Sequence, residues 1–194
     1  ILLFHTLESK DLKVIGQSIV RGLLSANVCS TIAERIAAFN FVDTSTGAKE
    51  GLFETLKLLE LLSSQSNAQN SISPWALREE PAGKGEIIYP LNNADILLKE
   101  LSKYSRQDDD LLNSCMIQVF DIVVHVALQC VSRTLLLSGT QFTASCIDIA
   151  CDSPSDLVAQ HAIIFLSCVA YLPAFALPLY TSSRHIRLCE RGLN

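Results

Sequence analysis

From Leu111 to Ser183, more than a third of its length, the chain carries only five charged side chains: Asp121, Arg133, Asp148, Asp152 and Asp156. The part of the chain before this stretch carries 26 of the 35 charges. Soluble monomers rarely leave a large contiguous apolar patch open to water. A chain this short has little else of its own with which to cover such a stretch. The asymmetry therefore predicts that part of the second half meets another protein, a second copy of the chain, or lipid.

At 194 residues the chain suits a single domain, and a domain of this size buries roughly 70% of its unfolded surface without help from metal or disulfides. The apolar fraction of 49% argues against disorder for most of the length. Charged residues make up 18%, below the roughly 25% usual for soluble domains. The net charge of −5 sets up no field that favours nucleic acid or an anionic membrane. Seven cysteines show no framework spacing, and no Asn-x-Ser/Thr sequon occurs. Reduced, buried cysteines acting as small hydrophobes, in the cytoplasm or nucleus, are the expectation. The first residue is Ile1 rather than Met, which suggests an internal piece of a longer protein.

Apolar residues recur at helical spacing along most of the chain. Leu12, Ile15, Ile19 and Leu23 mark one helix. Thr31-Ile32-Ala33-Glu34 reads as a capping box that opens another. Asp43 to Gly47 is a turn by composition, and Ala48 to Ser63 follows as a helix with Leu52, Leu56, Leu59 and Leu62 on its stripe. Asn93 caps a helix through Tyr104. Asp108-Asp109-Asp110 opens the next one, with three acids at the positive end of the helix dipole. That helix, about 109–138, is the expected central rod, roughly 45 Å long if unbroken. Its polar residues Ser114, Gln118, Asp121, His125, Gln129 and Ser132 fall within a strip of roughly 80° at about 100° per residue. A helix that shows water so narrow a strip is surrounded by other helices. Thr140 to Cys151 is a short helix. Ser153-Pro154-Ser155-Asp156 then starts another, with Ser153 as cap and Pro154 at the first helical position. Pro173 ends or kinks it near Leu172, and Pro178 closes a further turn. No sustained alternation argues for strands.

Ser63 to Asn92 breaks the helical pattern with Pro74, Pro81, Gly83, Gly85 and Pro90. A loop of this length is usually functional or mobile. It carries Trp75, Ile87, Ile88 and Tyr89, anchors that can lie on the domain's own surface or in a partner's groove. Together with Phe165, Tyr171, Phe175 and Tyr180 from the charge-poor half, these are the candidate partner contacts.

The motifs of catalysis and ligation are weak. Asp121 and His125 lie four apart and predict an ordinary helical pair. No Gly-x-Ser-x-Gly elbow accompanies them. Neither Cys-x-x-Cys nor His-x-x-x-His occurs, although a site shared with another chain could use His5 or His185. Gly83-Lys84-Gly85 lacks phosphate-loop spacing. Arg184, Arg187 and Arg191 could touch phosphates, but a solvated terminal helix is the simpler reading. Ala162 to Ser183 is free of charge throughout and approaches the length of a membrane span, yet its prolines and flanking cap suit a packed helix pair better.

The expectation is an all-α fold over 1–194: a multi-helix bundle or short helical-repeat-like array around the 109–138 helix, with a long loop at about 63–92. The expected function is a non-enzymatic interaction or scaffold module, intracellular, that bridges partner proteins and self-associates. Peptide or helix docking in an inter-helix groove is the expected mode. No catalytic residue, metal, cofactor or direct nucleic-acid contact is anticipated. A membrane-associated helical protein and a helical enzyme using His125 are the rivals.

Overall fold

The computed structural model describes residues 45–65, 94–104, 109–129 and 141–192, together with Ser18, Thr31, Ile32, Arg35, Ile36, Phe39 and Leu135. These residues form an all-α bundle: seven helices and, among the described residues, no strand. The helices anticipated before residue 45 lie largely outside this set, as do most of the 63–92 loop and the far end of the expected central rod. Ile32 and Ile36 are helical and buried, in keeping with their spacing.

Helix α1 spans Thr46–Gln65. Ser45 caps it: the Ala48 amide donates to Ser45 Oγ at 3.3 Å and the Lys49 amide to the Ser45 carbonyl at 3.2 Å. The stripe of Leu52, Leu56 and Leu59 is buried. Helix α2, Ala94–Tyr104, buries Leu97, Leu98 and Leu101. Helix α3, Asp110–Gln129, is capped by Asp109, whose Oδ1 accepts from the Leu112 amide at 3.1 Å. The other carboxylate oxygen of Asp109 takes Lys49 Nζ at 2.6 Å. Farther along, His125 of α3 faces Glu60 of α1. Contact at both starts and again about three turns on in α1 and more than four turns on in α3 makes the two helices run parallel.

Helix α3 packs against α1, α2 and α5. Leu112, Cys115, Met116, Val119, Phe120, Ile122 and Val123 are all buried along it, which is what a narrow polar strip predicts. Helices α4, Phe142–Asp152, and α5, Asp156–Val169, pack against each other. The turn between them departs from expectation. Ser153 ends α4, because its amide still donates to the Ile149 carbonyl at 2.9 Å. Ser155 is the cap of α5, with extended backbone and Oγ accepting from the Val158 amide. Pro154 therefore stands outside the helix, not at its first position. Ser153 Oγ donates to the Ser155 carbonyl at 3.1 Å and accepts from the Ser155 amide at 3.3 Å, tying the turn together.

Helix α5 ends at Val169, before Pro173, and Pro173 begins helix α6, Pro173–Thr181, with Leu172 as cap. Proline suits that first position because no partner exists there for an amide. Pro178 lies inside α6 and does not close a turn. Helix α7, His185–Gly192, follows. Phe165 sits edge-on between Phe142 and Phe175, with ring centroids 5.3 and 6.3 Å away. This aromatic stack joins α4, α5 and α6.

Candidate functional site

The anticipated partner contacts divide into three groups. Phe165 and Phe175 are 0% exposed. They are core residues, a correction to their reading as contacts: a side chain with no exposed surface cannot touch a partner while the bundle stays closed. Tyr171 and Tyr180 are 65% and 76% exposed. Trp75, Ile87, Ile88 and Tyr89 lie outside the described residues.

Among the described residues, the large apolar side chains found at the surface are Leu128, Leu135, Leu157, Ile164, Tyr171, Leu177, Tyr180 and Ile186. All of them except Ile186, which lies just beyond, fall inside the charge-poor stretch. Leu157, Ile164 and Tyr171 follow one another at intervals of seven. At about 100° per residue Leu157 and Ile164 share the outer side of α5, and Tyr171 lies in the turn just after its end. The opposite side of the helix buries Val158, Ala159, Ala162, Phe165, Leu166 and Val169. Helix α5 is thus apolar on two sides, and its neighbours in the bundle cover one of them.

Next to this line lies a groove of about 470 Å³ between three helices, lined by Ile163, Leu166 and Ala170 of α5, Leu179 and Tyr180 of α6, and Leu188 of α7. Its α7 wall is held by charge. Arg184 Nη1 pairs with Asp148 at 3.2 Å and also with Asp152, and Arg187 reaches Asp152 at 3.0 Å. The hydrogen bond from Arg184 to Asp152 holds its guanidinium above the ordinary arginine range. Arg191 donates to the carbonyls of Ala150 at 3.3 Å, Cys151 at 2.8 Å and Ser153 at 2.7 Å, and to Asp156 Oδ1 at 3.0 Å. The last carbonyls of a helix lack intrahelical partners and carry its negative end, so a guanidinium is a fitting cap for α4. The arginines read from sequence as a solvated tail instead strap α7 to the body. The acids that receive them, Asp148, Asp152 and Asp156, escape a reading based on motifs because they belong to two different helices.

The polar strip of α3 has its own arrangement. Asp121 and His125 do not pair with each other as expected. His161 Nδ1 of α5 donates to Asp121 Oδ1 at 2.8 Å, and His125 Nδ1 lies 3.5 Å from Glu60 Oε1 of α1. Partners on neighbouring helices approach more closely than the next turn of the same helix. Burial pushes the Glu60 carboxyl up, with His125 opposing that shift. His125 Nδ1 and Gln118 Oε1 are buried without a hydrogen bond among the described residues. The seam offers acid and base groups from three helices. Burial pushes the Cys115 thiol up to about 12 and Cys146 well above its ordinary value, so neither supplies a thiolate near neutral pH. Among the described residues, no group of three or more His, Cys, Asp or Glu is placed to hold a metal ion, and no helix is long and apolar enough to cross a membrane.

Comparison with known proteins brings no match: none to a protein-family model, none to a curated protein and none to a solved structure.

Proposed function

We propose that the protein is a non-catalytic interaction module that self-associates through the outer side of α5 and bridges partner proteins. One observation carries this reading. Leu157 and Ile164 are exposed on the side of α5 opposite its core-facing residues, and Tyr171 is exposed in the turn that follows. Helices of monomeric proteins keep charged or polar residues on the outward side. Here that side offers Gln160 and Ser167 but no charge other than Asp156 at its start. Aromatic and aliphatic side chains in such a line are the usual anchors of a helix–helix interface. In a two-fold dimer the same line meets itself, so one patch supplies both sides of the contact. The five cysteines of the described residues are all free, which suits an intracellular, reducing setting in cytoplasm or nucleus.

The test is the mass of the full chain by light scattering, for wild type and for Ile164→Asp. The expected result is an oligomer for the wild type and a monomer of unchanged helicity for the variant. A wild-type chain that is strictly monomeric across the micromolar range removes the proposal.

A further inference from the structure

We infer that the seat of α7 is a receptor for a basic amphipathic helix of a partner protein, and that α7 is its resident, displaceable occupant. This surface adjoins the outer side of α5, which supplies Asp156 and Ser167 to it, but it does not depend on self-association.

The seat has two halves. The polar half is the edge where Asp148, Asp152 and Asp156 stand beside the carbonyls of Ala150, Cys151 and Ser153. Four of these acceptors converge on the single guanidinium of Arg191. A planar, five-donor cation matches that geometry better than an ammonium does. The apolar half is the groove floor of Ile163, Leu166, Ala170 and Leu179. The two halves lie side by side, so the complementary ligand is a helix with arginines along one edge and aliphatic side chains next to them.

Helix α7 shows that such a helix fits, and also that it fits loosely. Its arginines follow the spacing of 184, 187 and 191, on one side of a helix. Yet none of its residues is buried, and the groove keeps about 470 Å³ of open space beside it. Cys189 and Gly192, which line that space, are small. A Cβ added at Gly192 would meet Ile163 Cγ2 at 3.6 Å, an ordinary contact, so a methyl group fits there against the groove floor. Ile186 points its apolar surface to solvent. The hold on α7 consists of surface ion pairs, the carbonyl hydrogen bonds of Arg191 and the partial packing of Leu188 against the core, and its ion pairs are individually weak and screened by salt. Its advantage over a partner is tethering through Ser182 to Arg184, which raises its local concentration. A partner helix with the same arginine spacing and bulkier aliphatic residues makes the same charge contacts and fills the groove as well.

The probe is a labelled helical peptide with arginines at the spacing of 184, 187 and 191 and leucines in place of Cys189 and Gly192. It is titrated into the full chain, followed by fluorescence anisotropy and by deuterium uptake of the 185–192 amides. Saturable binding that speeds exchange of those amides supports the inference. So does a loss of about tenfold or more in affinity for Asp148→Asn/Asp152→Asn/Asp156→Asn, as removal of a cluster of charge pairs requires. Arg184→Gln/Arg187→Gln/Arg191→Gln, with its own α7 released, is expected to bind the peptide more tightly than wild type. If that variant fails to fold, amide exchange in the wild type decides alone. Binding that leaves the α7 amides as protected as before, or that ignores the aspartate substitutions, overturns the inference.

Discussion

Phe165 is the middle ring of the aromatic stack. It meets Phe142 and Phe175 edge-on, and it has no exposed surface. Phe165→Ala is expected to cost about 3–5 kcal/mol through lost transfer and cavity terms, read as a fall in the denaturant midpoint with no loss of helical signal before the transition. Glu60 gives the second expectation at this scale. Burial raises its folded pKa above the ordinary 4.5. The folded state therefore holds the proton more tightly than the unfolded chain, and stability present below about pH 4.5 is lost as pH rises through the folded pKa. Glu60→Gln escapes that loss. Its stability relative to wild type should be lowest near pH 4.5 and grow toward neutral pH in urea titrations; a relative stability that shrinks over this range would refute the assignment. Neither residue's environment is legible from its type. Phe165 and Tyr171 look alike in sequence, because apolar residues stand on both the inner and outer sides of α5 and little besides Gln160 and Ser167 marks the side that faces water. Asp121 and His125 look like partners at four-residue spacing, but each has a closer partner on another helix.

Local signals set most helix starts. Ser45, Asp109 and Ser155 each accept from an amide in the first turn of their helices. A side-chain oxygen there satisfies one of the donors that no helix can pair internally. The error at Ser153 has a clear cause: two serines flank Pro154, and only the geometry of the preceding helix decides which one is released to cap. Pro178 is a related case. Its ring removes an amide from α6 but does not end it, since a two-turn helix has few internal bonds to lose. Gly51 lies on the outer side of α1, and a Cβ there would meet nothing within 4 Å. Gly51→Ala is therefore expected to stabilise the protein by about 0.5–1 kcal/mol, by restricting the unfolded chain and favouring the helix. Thermal denaturation followed by circular dichroism checks the sign; a lower midpoint would mean that this side of α1 is covered.

At the scale of the molecule, the two proposals place a self-complementary apolar line and an acidic, grooved seat next to each other on α5. If the line joins two copies, folding and association are linked, and the melting temperature of the wild type should rise with protein concentration. Ile164→Asp should melt at one temperature across the same range; equal concentration independence in both proteins counts against the dimer. The all-α class, the α1 and α2 stripes and the narrow polar strip of α3 were set by the sequence itself, because helical periodicity is a local property that survives without knowledge of neighbours. The five charges between Leu111 and Ser183 also leave few ways to dress an exterior, in keeping with the apolar side chains exposed there among the described residues. Tertiary structure alone decided which apolar side of α5 is covered, that Phe165 and Phe175 lie inside, that the histidines pair across helices, and that the three arginines fasten α7 to Asp148, Asp152 and Asp156. Each of these depends on which helices come to lie side by side, and contacts between residues far apart in the chain leave no periodic trace in a single sequence.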